Sequence, residues 1–93
     1  ISLIHVDALL KVTEVFDFGK NKYGSHNWRK GFAWTRLSSA ILRHTLAWIK
    51  GEDADPESGL PHLAHAAASV LMLLELTLKN IGSDDRHKYE NNR

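Results

Sequence analysis

The chain has 93 residues, of which 43% are hydrophobic and 25% charged, and it contains no cysteine. This length suits one domain, the composition argues against wholesale disorder, and the lack of cysteine excludes disulfides and thiolate metal sites. Twelve Lys and Arg against eleven Asp and Glu leave a formal net charge of +1, without the basic excess of a dedicated nucleic-acid binder. No apolar run reaches the roughly 18 residues of a membrane span. We therefore expect a cytoplasmic protein that binds neither membrane nor nucleic acid.

Hydrophobic residues at helical spacing predict three helices. The first covers about residues 2–18 with Gly19 as its stop, the second residues 35–50, and the third residues 60–79. No alternating strand pattern or internal repeat is present. The sequence therefore predicts an all-α fold, a small bundle of three main helices.

Domain limits and termini follow from the same pattern. The helical domain should occupy residues 1–82, and the polar segment 83–93 should form a tail that frays or packs on a partner. Because the chain begins with Ile1 and not with Met, we expect that some sequence precedes it.

The apolar faces of the helices identify candidate core residues. On the first helix these are Val6, Leu9, Leu10, Val12 and Phe16, and on the third Leu63, Ala66, Val70, Leu73, Leu74 and Leu78. The second helix has one apolar stripe with Leu37, Ile41, His44 and Trp48, and another with Leu42, Leu46 and Ile49. Two apolar faces in so small a chain predict contacts on both sides, and we expect the bundle to be completed by homo-oligomerisation.

Three histidines lie on or beside these apolar faces. His44 belongs to the stripe of the second helix, and His62 and His65, three residues apart, project from one side of the third. A buried imidazole needs a hydrogen-bonding partner or a metal. Each histidine taken alone is equally compatible with a core residue satisfied by a carbonyl or a carboxylate.

An acidic segment connects the helices that carry these histidines. Its carboxylates, Glu52, Asp53, Asp55 and Glu57, are hard oxygen donors that suit Mg²⁺ or Mn²⁺. Acidic runs are commonly solvated surface, but the position of this one between His44 and His62 favours a metal site. We predict a Mg²⁺ or Mn²⁺ site with ligands from among His44, Glu52, Asp53, Asp55, Glu57, His62 and His65.

Basic residues recur every seven positions along one edge of the second helix. Arg36, Arg43 and Lys50 occupy this edge, and the planar guanidinium of arginine matches phosphate oxygens. The alternative is a charged edge paired with neighbouring carboxylates. For Arg43, adjacent to His44, we favour phosphate binding.

The segment between the first two helices, residues 19–33, is rich in Gly, Asn and aromatic residues and is predicted to be a loop. Tyr23 and Trp28 can stack on a purine, and Asn27 can pair with its edge, with Lys22 nearby. The structural alternative is that Trp28 fills the core beneath a long loop.

Three ordered blocks, FDFGKNKYGSHNWRKG, RLSSAILRHTLAW and GEDADPESGLPHLAHAAASVLMLLE, make the chain resemble the phage and bacterial dATP/dGTP diphosphohydrolase family over about residues 3–77. This family is similar to the all-α, MazG-like nucleoside triphosphate pyrophosphohydrolases. The resemblance implies that a purine deoxynucleoside triphosphate, dGTP or dATP, is cleaved between its α and β phosphates with a divalent metal. It also implies a dimer or tetramer in the cytoplasm of a bacterium or a phage-infected host.

The chain departs from the MazG-like pattern in its carboxylates. Better-known members carry an ExxE pair on one helix and an ExxD pair on the next, whereas here Glu14 and Asp17 form only an ExxD-like pair and His62-xx-His65 stands on the third helix. Either the ligand set is remodelled around His44, Glu52, Asp53, His62 and His65, or the metal site differs more deeply from that of the better-known members.

Catalytic roles are assigned to His44, Arg43 and Glu52. Arg43, with Lys22 or Lys50, would neutralise charge on the departing pyrophosphate, and His44 or His65 would act as ligand or proton acceptor. Competing interpretations are a non-catalytic nucleotide-binding or assembly module, an HD-type phosphohydrolase, which expects a His-Asp dipeptide that this chain lacks, and a nucleic-acid-binding module.

Overall fold

The computed structural model describes residues 3–23, apart from the side chains at positions 22 and 23, and residues 33–87. Three α-helices follow one another: α1 (Val6–Tyr23), α2 (Trp34–Ile49) and α3 (His62–Leu78). Within the described ranges, strand-like pairing is limited to two isolated bridges, Ala33–Ser83 and Ala54–Pro61. The predicted all-α bundle of three main helices is confirmed.

The bounds of α1 differ from the prediction at both ends. The helix begins at Val6, four residues later than expected, and it continues through Gly19 to Tyr23. A glycine inside a helix costs only about 1 kcal/mol relative to alanine, and no proline follows to stop the backbone. Gly19 is thus an interior helical residue, while the predicted bounds of α2 and α3 hold to within two residues.

Helix α3 is the centre of the bundle because it packs against both α1 and α2. On the α1 side, Val15 packs with Ala64 and Ala68, whose small side chains on one face of α3 let the helices approach closely. On the α2 side, the buried residues are Trp34, Leu37 and Leu76. Met72 contacts both clusters and joins them into one core.

Several residues predicted to be buried are instead exposed. They are Val6 and Leu10 on α1, Trp48 on α2, and Leu63, Val70, Leu74 and Leu78 on α3. With three helices, α3 is covered on two sides, by α1 and α2, and the remaining apolar faces of the helices have no neighbouring helix within the described residues. The second apolar face of α2, formed by Leu42, Leu46 and Ile49, is also exposed, so the homo-oligomer expected from it stays a prediction.

No helix within the described residues combines the length and apolar character needed to cross a membrane.

Within the described residues, the segment after α3 folds back onto the first turn of α2. The N–H of Trp34 donates to the carbonyl of Ser83, and its indole N–H donates to the carbonyl of Ile81, both at 2.9 Å. Asp85 accepts hydrogen bonds from the backbone N–H and hydroxyl of Thr35. Ala33 offers α2 no side-chain cap, so a carboxylate 50 residues away in the sequence supplies one.

Candidate metal centre

The connection from α2 to the acidic segment begins with a defined helix end. The N–H of Glu52 bonds to the carbonyl of Ala47 and that of Gly51 to the carbonyl of Trp48, the two hydrogen bonds of a Schellman motif. This motif requires a left-handed residue, and Gly51 has φ +100°. The chain consequently turns back at Glu52 towards α3.

The acidic segment is itself ordered by backbone hydrogen bonds. The N–H of Asp55 donates to Leu60, that of Gly59 to Asp55, and that of His62 to Asp53, at 2.9, 2.7 and 2.8 Å. The side chain of Asp55 is also held, because its Oδ1 accepts the N–H groups of Glu57 at 2.7 Å and Ser58 at 3.3 Å. Asp55 is therefore fixed at both backbone and carboxylate.

The three predicted histidines meet between α2 and α3. Nδ1 of His44 lies 2.8 Å from Nδ1 of His62, and the His44 ring stacks on that of His65 with centroids 4.6 Å apart and planes inclined by 9°. His44 is 7% exposed and His62 is 4% exposed. The predicted convergence of these imidazoles is thus present in the structure.

Hydrogen bonding defines a consistent set of tautomers. Glu52 lies 2.7 Å from Nε2 of His62 and, as a carboxylate, accepts the Nε2–H proton. With its hydrogen at Nε2, the His62 ring presents a lone pair at Nδ1, and this lone pair accepts the Nδ1–H of His44. A single proton therefore lies between two nitrogen atoms that both point into the centre.

Burial and charge set the protonation of the cluster. Burial, together with the neighbouring His65 and Arg43, lowers the pKa of His44 to about 4, so this imidazole is neutral at pH 7. Burial also lowers the pKa of His65. For Asp55, burial acts to raise the pKa, but the N–H groups of Glu57 and Ser58 outweigh it and lower the pKa, so the carboxylate is ionised.

One carboxylate completes the group. Oδ2 of Asp55 lies 3.8 Å from Nδ1 of His44, and His44, Asp55 and His62 each offer one ligand atom, all within 4.8 Å of one another. Two imidazoles and an ionised carboxylate form a donor set that suits a divalent cation. Glu52 lies behind His62, in the position of an outer partner that orients a metal-binding imidazole.

The other predicted ligands lie around this group. Asp53 and Glu57 have exposed side chains, and they contribute a backbone carbonyl and a backbone N–H, respectively, to the loop. Nε2 of His65 is hydrogen bonded to Oγ of Ser58 at 2.7 Å. Ser58 was not among the candidate residues; its only sequence signal is its place in the turn before Gly59.

Only some of the predicted phosphate- and base-binding residues lie in the part of the chain that the structure describes. Arg36 and Arg43 are exposed on α2, and Lys50 is exposed at its C-terminal cap. Arg43 is close enough to act on the pKa of His44. Lys22 and Tyr23 belong to the last turn of α1, with side chains outside the described part. Asn27 and Trp28 lie outside the described residues.

Fold and site together define an all-α domain with a buried histidine–carboxylate cluster. The chain belongs to the family described as dATP/dGTP diphosphohydrolase, N-terminal, whose model matches residues 1–86. It is 40% identical over 86 residues to the dATP/dGTP diphosphohydrolase of Salmonella phage PMBT28. That match covers 92% of this chain but 29% of the relative's length. No solved structure matches the chain. The family resemblance seen in the sequence is confirmed.

Proposed function

We propose that this chain forms the cation- and phosphate-binding helical domain of an enzyme that hydrolyses dGTP or dATP to the monophosphate and pyrophosphate. The observation that carries this proposal is the meeting of His44, Asp55 and His62 within 4.8 Å at the junction of α2, the acidic segment and α3. The name of the 40% identical phage relative supports the substrate class.

The roles proposed for the residues follow from their placement. Asp55 and the Nδ1 atoms of His44 and His62 hold a divalent cation, and Glu52 keeps the His62 imidazole in the required tautomer. When bound, the cation offsets negative charge on the phosphates and makes water a better nucleophile. An ionised Asp55 and neutral imidazoles are the forms that bind a cation.

Arg43 is the proposed phosphate ligand. It immediately precedes the buried His44 in the sequence and is exposed. Its guanidinium therefore lies on the solvent side of the cluster. Seven residues of helix rise by about 10 Å, which places Arg36 and Lys50 roughly that far along the edge on either side. Arg43 is therefore best placed to neutralise the departing pyrophosphate, with Lys50 or Lys22 as its partner.

A product analysis tests the reaction. The protein is incubated with each deoxynucleoside triphosphate and Mn²⁺, and the products are separated by anion exchange. We expect pyrophosphate and a monophosphate, formed fastest from the purine nucleotides. Orthophosphate and a diphosphate would contradict the proposed bond cleavage, and nucleotide binding without turnover would favour the alternative of a non-catalytic nucleotide-binding module.

Variants connect this reaction to the cluster. Asp55→Asn keeps the shape of the side chain and its acceptor for the loop N–H groups but removes the charge, and we expect a loss of turnover of about 100-fold or more. Glu52→Gln removes the outer partner of His62 and should lower activity about 10- to 100-fold. His5→Gln, at an exposed histidine before α1, is the matched control and should retain activity.

A further inference from the structure

The donor atoms of the cluster differ from those of a typical magnesium site. Two of the three, Nδ1 of His44 and Nδ1 of His62, are imidazole nitrogens, and only Asp55 supplies oxygen. Mg²⁺ prefers octahedral oxygen ligands and keeps several waters, and Ca²⁺ takes six to eight oxygen ligands. Imidazole suits the divalent transition metals.

The spacing of these atoms agrees with a compact ion. Bonds of about 2.1 Å from one ion can separate two ligand atoms by at most about 4.2 Å. The His44–His62 and His44–Asp55 separations, 2.8 and 3.8 Å, both lie below this limit, and the ligand atoms of Asp55 and His62 lie within 4.8 Å of each other. To share one ion, the nitrogen pair opens from 2.8 Å to about 3.0–3.4 Å, for octahedral or tetrahedral angles at bonds of about 2.1 Å, and the His44 proton moves from Nδ1 to Nε2.

The surrounding groups hold the donors in place before any ion arrives. His62 is oriented by Glu52 at 2.7 Å, Asp55 by the N–H groups of Glu57 and Ser58, and His44 by its stack on His65. Both imidazoles are more than nine-tenths buried. A preorganised pair of buried nitrogens selects for ions that bind nitrogen.

We propose that this centre binds one transition-metal ion of the Mn²⁺ to Zn²⁺ series and discriminates against Mg²⁺ and Ca²⁺. This inference rests on the cation site of the proposed function, and it narrows the expected choice of Mg²⁺ or Mn²⁺ by removing Mg²⁺ as the preferred ion. Intrinsic affinity should rise from Mn²⁺ to Co²⁺ and on to Zn²⁺, in the usual order for nitrogen and oxygen sites.

The test measures binding without nucleotide. Chelator-treated protein is titrated with Co²⁺ and followed by its visible absorption, and then Mg²⁺, Ca²⁺, Mn²⁺ and Zn²⁺ are added as competitors. We expect one Co²⁺ per chain, displacement by Zn²⁺, and an affinity for Co²⁺ about 100-fold or more above that for Mg²⁺. Asp55→Asn and His62→Gln, checked for folding by circular dichroism, should each weaken Co²⁺ binding at least about tenfold, while His5→Gln should not.

Each other outcome contradicts the inference in a distinct way. Equal competition by Mg²⁺ would overturn the selectivity, and Co²⁺ binding unchanged in both Asp55→Asn and His62→Gln would overturn the ligand set. Absence of any ion binding would overturn the centre itself. Hydrolysis is measured independently of ion binding, by analysis of its products. Formation of pyrophosphate with Mg²⁺, in a protein that does not bind Co²⁺, would therefore refute the inference and leave the proposed reaction standing.

Discussion

His44 and His62 illustrate how burial dictates the behaviour of single residues in this protein. Each Nδ1 atom finds its polar partner in the other ring, at 2.8 Å, and an unpaired buried polar group costs about 1–3 kcal/mol. A cation can occupy the position between the two rings once the His44 proton moves from Nδ1 to Nε2, because both Nδ1 lone pairs then face it. The same burial disfavours a positive charge on His44.

The stability of the metal-free protein should therefore depend on pH. The pKa of His44 falls from 6.5 to about 4 on folding, mainly through burial, so between these values the unfolded chain binds more protons than the folded one. Stability is complete above about pH 6.5 and is lost as the pH falls towards 4, on the order of 1–2 kcal/mol at pH 5. The lowered pKa of His65 acts in the same direction.

Urea denaturation at pH 7.5 and pH 5, in buffer free of divalent ions, measures this dependence. His44→Gln should reduce the difference in unfolding free energy between the two pH values, whereas the exposed-site control His5→Gln should retain it. A difference unchanged in His44→Gln would assign the pH dependence to other groups.

At the level of elements, the helix ends decide where the site is built. Gly51 closes α2 in a left-handed conformation and turns the chain towards Asp55, and α3 ends in the same way at Asn80, with φ +55°. There the N–H of Ile81 bonds to the carbonyl of Leu76, and Ile81 packs on the core around Leu76. The C-terminal end of α2 thus leads into the acidic segment of the site, and that of α3 leads into the core contact of Ile81.

Two alanine substitutions should have opposite effects on the free energy of unfolding. At Gly51 the added Cβ meets no atom within 4 Å, but φ is +100°, so Gly51→Ala should destabilise the protein by about 1–2 kcal/mol. Gly19 lies inside α1 with open space around its Cβ position, and Gly19→Ala should stabilise by about 0.5–1 kcal/mol. Thermal melts compare the two, and equal shifts of the same sign would contradict the assigned backbone roles.

The cap on α2 makes a separate prediction. Hydrogen bonds from the hydroxyl and then the N–H of Thr35 lower the pKa of Asp85, so its stabilising effect is present above the ordinary carboxyl pKa of 3.8 and is lost as the pH falls through the lowered value. Asp85→Ala should reduce the denaturation midpoint at pH 7 and speed amide exchange at Thr35. Asp17→Ala, at an exposed carboxylate on α1, is the control, and equal exchange at Thr35 in both variants would argue against the cap.

At the scale of the whole molecule, stability depends on few buried side chains. Large side chains in the described part are mostly half-buried or exposed, and Leu76, at 1% exposure, is the largest that is fully buried there. Because α3 separates α1 from α2, its two faces must hold the bundle together through the clusters around Val15 and Trp34. So small a core leaves little stability in reserve.

Paired leucine variants on α3 measure this dependence. Leu76→Ala should destabilise the protein by about 2–5 kcal/mol because it opens a cavity between α2 and α3. Leu78, 76% exposed and two residues further on, should change the free energy of unfolding by no more than about 0.5 kcal/mol when replaced by alanine. Chemical denaturation distinguishes them, and similar losses would mean that the exposed leucine is covered by another surface in solution.

Helical periodicity was sufficient to predict three helices and the inward direction of His44 and His62, because side chains three or four residues apart share a face whatever the tertiary contacts are. The order of the elements along the chain also placed the acidic segment between the helices that carry these two histidines. Periodicity did not reveal that α1 passes through Gly19 or that Leu10 and Trp48 are exposed, since burial depends on which neighbour covers a face.

Only the tertiary structure selected Asp55 from the four carboxylates of the segment, because the path of the loop brings its Oδ2 to 3.8 Å from Nδ1 of His44. It alone brought Asp85 to Thr35 across 50 residues. Local patterns constrain atoms within one or two helical turns, whereas the meeting of His44, Asp55 and His62 depends on the crossing of α2 and α3 and on the path of the loop between them.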